Sequence, residues 1–335
     1  MKKTLRITAI TAFLLMAPLL VCFSACSQAQ KNDEPQIVRI GGVTDPLTDS
    51  IGIAQKLGYI EEELAKIGFT PEYSAFAQAG PALNEALAAK AIDFGVYTEF
   101  PQLILFDKGV AIRAIATVVS NQQYGIIAGE GSGIKTVRDL TGKKVIVPKG
   151  TALEKVFYQV VNENGLDSEK IEQINALADQ QSLYASGEAD AVVGSYLALM
   201  LLQYQSGGSV VFSTAEKPEW SSTGLLVGRG EFLDKNPDVA KALIQALERA
   251  YQFASADPEK ACEVLSDERL SVPFIKKVYE YSPDFAIYNP ILSDEVIARV
   301  EGANDFLAQQ GIISKKADLS KFIDKTYYAA VQGKS

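Results

Sequence analysis

The chain has 335 residues, which is enough for more than one domain, and its formal net charge is −9 at pH 7. This acidity argues against a nucleic-acid partner, because phosphate binding needs lysine and arginine side chains that displace counterions. The sequence contains no histidine, which excludes Ser-His-Asp and Cys-His catalysis and histidine-ligated metal sites. We therefore expect a protein that is not an enzyme and that holds neither a metal nor another cofactor.

The amino-terminal residues are typical of a secretory signal. Basic residues come first, and an apolar run over residues 7–23 follows, broken by Pro18. The run is shorter than the roughly 20 apolar residues that a membrane-spanning helix needs. We therefore expect an exported protein and not an integral membrane protein.

Cys26 indicates how the exported chain is anchored. It follows a serine and an alanine directly after the apolar run, an order that resembles a lipoprotein processing site. We expect residues 1–25 to be removed and Cys26 to be acylated, with residues 26–36 as a polar tether to the membrane. The alternative is an ordinary signal peptide that happens to end beside a cysteine.

The body opens with alternating strand and helix patterns. A strand is predicted over residues 37–42, and apolar residues at helical spacing follow from 51 to 67, up to the stop signal Gly68. The alternation continues with strands predicted at 69–76, 92–97 and 112–119, and helices predicted from Gly80 onward and over 100–108. This rhythm predicts parallel strands joined by helical crossovers.

A second series of the same kind follows. It consists of strands predicted at 124–128, 144–147 and 190–194, a helix predicted at 151–164, and a further strand at 224–227. Beyond that strand the chain is almost entirely helical. One helix begins after Asn236, a favourable N-cap residue, and another covers residues 293–310. The first of these helices has an apolar face formed by Val239, Leu243, Leu247, Ala250 and Phe253.

The second series sits inside a frame that resumes near residue 224. We therefore predict an α/β protein of two lobes, in which residues 37–122 and 224–335 form a discontinuous first lobe and residues 123–223 form the second. The chain would cross between the lobes twice, near residues 121–125 and 221–225. Two crossings make a hinge, and the cleft between the lobes is the natural ligand site.

Catalytic and phosphate-binding motifs fail on their spacing. In the glycine cluster at residues 129–136, Ile134 separates Gly133 from Lys135, whereas a phosphate-binding loop needs Gly-Lys-Thr in succession. The cluster predicts a turn. Helices that start directly after strands, near residues 48–50, at Gly80 and at Gly150, are better candidates, because helix N-termini bind anions through unpaired amides. The alternative for each is ordinary helix capping.

Four stretches of the body carry a family resemblance. They are FAQAGPALNEAL at residues 76–87 with AIDFG at 91–95 and Thr98, IKTVRDLTGKKV at 134–145, PKGT at 148–151, and SGEADA at 186–191. In this order the chain resembles the substrate-binding proteins of ABC importers for nitrate, alkanesulfonate and taurine, and the related pyrimidine-precursor binding proteins. The resemblance implies a type II periplasmic-binding fold and delivery of a small-molecule ligand to the transmembrane subunits of an ABC permease.

The resemblance also implies positions for the ligand site. Gly80, Pro81 and Thr98 of the first lobe and Gly150 and Thr151 of the second would surround the cleft. The turn after the first strand should join them, through Thr44, Asp45 and Ser50.

Departures from the family pattern concern the ligand class. Ser195 and Tyr196 stand where the family often has a Trp-Asp-Pro-Tyr-like stretch, so an acidic partner for a taurine-like amine is missing there. Glu99 and Asp45 could face a donor or cationic group of the ligand, or be solvated. The aromatic residues Tyr124, Tyr196 and Trp220 are candidates for stacking on an organic ligand, or for core and rim positions.

The sequence thus favours a monomeric binding protein for a small organic anion or a heteroaromatic solute. Two alternatives remain. One is an enzyme on the same scaffold. Some members of the pyrimidine branch resemble a synthase that uses a histidine, and this chain has none. The other is a ligand-sensing partner of a membrane receptor.

Overall fold

The computed structural model describes residues 35–44 and 47–333. The predicted signal, Cys26 and Asp45 lie outside the described residues, so their predicted roles stay predictions. Within Pro35–Ser335 the chain forms one compact unit. Every helix among the described residues is too short or too polar to traverse a lipid bilayer.

The strands form two sheets of five strands each. In chain order they are β1 (Gln36–Gly42), β2 (Phe69–Ala75), β3 (Phe94–Thr98), β4 (Ile112–Gln122), β5 (Tyr124–Ala128), β6 (Lys144–Ile146), β7 (Glu172–Ile174), β8 (Ala191–Ser195), β9 (Ser209–Ser213) and β10 (Ser222–Arg229). The first sheet has the order β2-β1-β3-β10-β4, and the second has the order β7-β6-β8-β5-β9.

Helices connect and cover both sheets. In chain order they are α1 (Asp49–Lys56), α2 (Tyr59–Ala65), α3 (Gly80–Ala88), α4 (Glu99–Asp107), α5 (Ala152–Glu163), α6 (Gln180–Ala185), α7 (Tyr196–Ser206), α8 (Gly230–Lys235), α9 (Pro237–Ala256), α10 (Pro258–Leu265), α11 (Val272–Val278), α12 (Asp294–Gln309), α13 (Leu319–Phe322) and α14 (Thr326–Val331). The predicted mixed α/β class is therefore confirmed.

The prediction that the strands are parallel holds for only part of each sheet. Strands β1, β2 and β3 pair in parallel, as their helical crossovers require. Strand β10 is antiparallel to both β3 and β4, and β5 is antiparallel to both β8 and β9. An alternation of strands and helices fixes the relative direction only of strands that are joined by a helical crossover. Strand β5 follows β4 of the first sheet directly, and β10 follows β9 of the second sheet, so neither direction was fixed in this way.

The chain passes between the sheets at two places. It leaves the first sheet at Gln122 and enters the second at Tyr124, and it returns between Ser213 and Ser222. The first passage lies within residues 121–125, and the second ends at Ser222, within residues 221–225. The lobe boundaries themselves stay a prediction.

Helix α9 shows how apolar spacing places the core. Val239, Leu243, Leu247 and Ala250 recur at helical spacing and are fully or almost fully buried, while Phe253 at the end of the same face is partly buried. Each large apolar side chain removed from water contributes about 1.5–3 kcal/mol. This face packs on α1 and α2, so it holds the start of α1 beside the first sheet.

Several elements differ from their predictions. The helix expected over residues 51–67 is two helices, because Gly58 takes a left-handed conformation with φ +73° and ends the first one. The short strands β7 and β9 and the helices α6 and α7 were not predicted. Asn236 does not cap α9 with its side chain, since its amide donates to the Phe232 carbonyl oxygen at 3.1 Å.

Candidate ligand-binding site

A cavity of about 440 Å³ lies where the two sheets face each other. Its lining includes the end of β1 and the turn that follows it, the end of β3, part of β4 and β10, and the starts of α5 and α7. The segment between α10 and α11 and the residues after α11 complete the lining. The size lies within the ~300–1,000 Å³ that is usual for small-molecule sites.

Helices from both sheets begin at this cavity. Gly80 starts α3, Thr98 precedes α4, Thr151 precedes α5 and Ser195 precedes α7, and all four residues line the cavity. The amides of a helix's first turn lack intrahelical partners and carry a partial positive charge. The cavity can therefore accept hydrogen-bond acceptors or anionic groups without a basic side chain.

Two of these N-terminal residues also cap their own helices. The Thr151 hydroxyl accepts from the Leu153 amide at 3.2 Å and donates to the Pro148 carbonyl oxygen at 2.7 Å. The Ser195 hydroxyl accepts from the Ala198 amide at 3.4 Å. Ordinary capping and a place in the cavity thus coexist, because a cap satisfies only part of the first turn.

The structure places about half of the predicted site residues around the cavity. The ones that line it are Thr44, Gly80, Thr98, Thr151, Ser195 and Tyr196, and the stacking candidate Tyr124 lies with them. Their contact with a ligand stays a prediction.

Ser50, Pro81, Gly150 and Trp220 are not among the residues that line the cavity. The Ser50 hydroxyl is buried and donates to the Val118 carbonyl oxygen at 2.7 Å. Gly150 has φ +71°, and a Cβ there would meet the Pro81 ring at 3.4 Å, so these two residues bring α3 and the start of α5 close together. Trp220 packs on Phe212, with ring centroids 5.8 Å apart.

Glu99 has neither of the two roles considered for it. Its carboxylate is fully buried, which excludes solvation, and it lies outside the cavity lining. It accepts from the Lys155 ammonium at 3.3 Å and from the Thr223 amide at 2.9 Å. Lys155 is equally buried and also donates to the Ser221 carbonyl oxygen and the Ser222 hydroxyl, at 3.3 and 3.2 Å. The cation that Glu99 faces therefore belongs to the chain itself, and the pair joins α4, α5 and the start of β10.

Besides Asp267, which pairs with Arg269, the cavity lining contains the carboxylate of Asp49. Asp49 is the first residue of α1, it is half-buried, and it lines the cavity. Its carboxylate accepts from the Tyr279 hydroxyl at 3.4 Å and from the Thr48 hydroxyl at 3.2 Å. Loss of solvent around the carboxylate raises its pKa to about 6, and the two hydroxyls oppose this only partly.

The sequence analysis missed the wall opposite the strand ends. Tyr279 and Tyr281 at the end of α11, together with Asp267 and Arg269 before α11, line the cavity. Nothing in their local sequence sets them apart, because they reach the cavity only through the packing of the carboxyl-terminal helices on the first sheet. Asp49 belonged to a turn that was expected at the site but was not singled out.

Metal ligands do not gather in the described part of the chain. Among residues 35–44 and 47–333, no group of three or more carboxylate or cysteine side chains could hold an ion. Arg269 and Asp267 pair with each other at 3.0 Å. Beside the Asp267–Arg269 pair, the cavity offers hydrogen-bond donors, tyrosine rings and the carboxylate of Asp49, which are groups that bind a small organic solute.

Comparison with known proteins supports the family and the fold. The model of the NMT1/THI5-like family matches residues 52–261, which is more than half of the chain. The chain belongs to this family. The family resemblance seen in the four sequence stretches is thereby confirmed.

Individual relatives place the family in solute binding. The chain is 25% identical over 319 residues to a protein of Bacillus subtilis named a putative aliphatic sulfonates-binding protein, covering 93% of this chain and 94% of the relative. It is 23% identical over 282 residues to a putative thiamine biosynthesis protein of Haemophilus influenzae, covering 82% and 86%.

A solved structure shows the same architecture. The periplasmic sulfonate-binding protein SsuA of a putative sulfonate ABC transporter, from Methylobacillus flagellatus, superposes with a TM-score of 0.70. The match covers 90% of this chain and 94% of that one at 21% identity. The fold of this member of the family is therefore that of a periplasmic binding protein, as the sequence predicted.

Proposed function

We propose that this protein is an extracytoplasmic solute-binding lipoprotein that captures a small organic anion or a heteroaromatic solute and delivers it to an ABC permease. The observation that carries the proposal is the cavity between the two sheets, with helix N-termini from both sheets at its wall. Family relatives named as sulfonate-binding and thiamine-related proteins support the same ligand range.

Capture would work by closure of two lobes. The lobes are residues 37–122 with 224–335, and residues 123–223, and the chain connects them near residues 121–125 and 221–225. Because Thr98 and Thr151 belong to different lobes, a ligand held by both α4 and α5 stabilises the closed arrangement. A ligand shifts an open–closed equilibrium only through such differential contacts. The permease would then select the closed form.

The membrane anchor is a separate proposal. Acylation of Cys26 would keep the body beside the permease on the tether of residues 26–36. Mass spectrometry of the amino-terminal peptide from membrane fractions should show a diacylglyceryl cysteine. The Cys26→Ala variant should appear in the soluble fraction, and retention of that variant in the membrane would contradict the anchor.

Ligand binding is tested by thermal unfolding of residues 27–335, which contain the compact unit. The protein, freed of carried-over ligand, is scanned with alkanesulfonates, aminoalkanesulfonates, nitrate and pyrimidines. A ligand at about 100 times its Kd adds about 2.7 kcal/mol to the free energy of unfolding. A shift with one chemical class supports the proposal, and no shift with any of them contradicts this ligand range. Steady conversion of a bound solute would instead favour an enzyme.

A further inference from the structure

Asp49 has a left-handed backbone conformation, which aspartate tolerates. Its φ is +59°, in the left-handed region that residues other than glycine, asparagine and aspartate rarely adopt. Such a conformation is energetically unfavourable and persists where the surrounding structure holds it. Here the buried side chains Leu47, Ser50 and Ile51 on either side of it fix the start of α1. The carboxylate is consequently held at the cavity wall.

Its contacts leave this carboxylate with unused acceptor capacity. An ionised carboxylate has about four acceptor positions, and the Tyr279 and Thr48 hydroxyls take two of them. Within residues 35–44 and 47–333, no lysine or arginine forms an ion pair with Asp49. The cations that do line the cavity are engaged elsewhere: Lys56 donates to the Val264 carbonyl oxygen at 2.8 Å, and Arg269 pairs with Asp267.

A structural role at the helix start does not account for Asp49. An acidic side chain in the first turn interacts favourably with the helix dipole, and this interaction lowers a carboxyl pKa. The pKa of Asp49 is instead raised to about 6, because burial outweighs its hydrogen bonds. The geometry agrees with this direction, because the Tyr279 and Thr48 hydroxyls are neutral donors and leave the charge of Asp49 available to a cation from outside the chain.

The surroundings of Asp49 favour a flat or compact cation. Tyr279, Tyr281 and Tyr124 line the cavity with it. Burial raises the pKa values of all three hydroxyls, and the negative charge of Asp49 raises them further. Aromatic rings beside a carboxylate bind cations through both the ring face and the charge.

We propose, building on the function proposed above, that the ligand presents a protonated or hydrogen-bearing nitrogen to Asp49. Its acceptor or anionic groups face the helix N-termini at Thr98, Thr151 and Ser195. The substrate class is thus an amphoteric organic solute, either a zwitterionic amine or an amino-substituted heterocycle. Simple inorganic anions and alkanesulfonates without a nitrogen would leave Asp49 without a partner.

The experiment compares matched solutes on residues 27–335 by isothermal titration calorimetry at pH 7.5. One pair is 2-aminoethanesulfonate and 2-hydroxyethanesulfonate. The other is 4-amino-2-methylpyrimidine and 4-methoxy-2-methylpyrimidine. The variant is Asp49→Asn, because asparagine has the same shape and tolerates the left-handed backbone. The control is Glu72→Gln, which removes an equal charge from an exposed position on β2.

Within at least one pair, the aminated solute should bind wild type about tenfold or more tightly than its partner, since a charge-assisted hydrogen bond is lost without the nitrogen. Asp49→Asn should remove this preference, and Glu72→Gln should leave it within about twofold. Equal binding of both members of each pair, unchanged in Asp49→Asn, would overturn the inference while the binding function stands. If no member of either pair binds, both the inference and the proposed ligand range fail.

A pH series supplies a second readout. Because 2-aminoethanesulfonate keeps both its charges between pH 5 and 8, its affinity should fall as the pH drops through about 6 and Asp49 takes up a proton. The Asp49→Asn variant should show no such fall. The other carboxylates to consider are Asp267, which is exposed and pairs with Arg269, and Asp45, which lies four residues before Asp49 in the sequence. A fall that persists in Asp49→Asn would assign the titration to one of these and contradict the inference.

Discussion

Asp49 and Glu99 occupy comparable positions and have opposite surroundings. Each is the first residue of a helix that follows a strand of the first sheet. Glu99 is fully buried and its charge is matched by Lys155 and by the Thr223 amide. Asp49 faces the cavity and, within residues 35–44 and 47–333, its carboxylate accepts hydrogen bonds from the Tyr279 and Thr48 hydroxyls alone. The difference indicates that the Glu99 charge, which has a cationic partner in the same chain, stabilises the fold. The Asp49 charge has no such partner among the described residues and is available to a ligand.

The largest effect is expected when the buried ion pair between Glu99 and Lys155 is broken. Lys155→Met leaves the Glu99 carboxylate buried without its cation, and we expect a loss of about 3–5 kcal/mol in the free energy of unfolding, measured by urea denaturation. Adding Glu99→Gln should restore part of the loss, because glutamine keeps an acceptor for the Thr223 amide. As a control, Lys217→Met breaks an exposed pair with Glu163 and should change stability little. A small effect of Lys155→Met on the free energy of unfolding would contradict a stabilising role for the Glu99–Lys155 pair.

Asp49→Asn should stabilise the unliganded protein. The folded-state pKa of about 6 lies above the ordinary value of 3.8, so the penalty is present above pH 6 and disappears as the pH falls towards 4. At 1.36 kcal/mol per pKa unit the gain at pH 7.5 is at most about 3 kcal/mol, and less because the carboxylate is half-buried. Thermal unfolding at pH 7.5 and pH 5 should show a larger gain at pH 7.5. An equal gain at both values would contradict the raised pKa.

Thr151→Phe tests the opposite wall of the cavity. The ring would occupy ligand space and remove the cap of α5, so we expect affinity for a bound solute to fall about tenfold or more and stability to fall by about 1 kcal/mol. The control Thr136→Phe removes a capping residue from an exposed turn that does not line the cavity. It should reduce stability without changing the affinity for the solute. Equal affinities of the two variants for the solute would show that the N-terminus of α5 does not contribute to the binding site.

The smallest effect is expected at Tyr279. Tyr279→Phe deletes a hydroxyl that donates to Asp49 at 3.4 Å, so the pKa of the carboxyl should rise further, by a fraction of a unit. A ¹³C NMR titration of the Asp49 carboxyl measures this shift. Tyr281→Phe instead loses a bond to the Asn121 carbonyl oxygen, and it should leave the Asp49 titration nearer to that of wild type.

Local patterns were sufficient for elements that are decided by their own residues. The strands at the start of each series, the α9 face and the helix starts at Gly80 and Thr151 follow from apolar spacing, proline and capping chemistry, which act within a few residues. The order of the four family stretches was sufficient for the fold. Half of the predicted site residues line the cavity because strand ends and helix starts of one sheet meet at the same edge.

Tertiary structure alone decided which charges have partners. Glu99 and Lys155 are 56 residues apart in the chain, and Asp49 and Tyr279 are 230 apart, so no local pattern links them. The antiparallel pairing of β5 with β8 and β9, and of β10 with β3 and β4, likewise depends on the position that each strand takes in its sheet when the chain crosses from the other sheet. The sequence by itself determined the two series of strands and helices and the family, because these depend on short-range spacing and motif order. The partners of each carboxylate were decided only by tertiary packing: α5, which packs on the second sheet, supplies Lys155 to Glu99, whereas Asp49 is left facing the cavity.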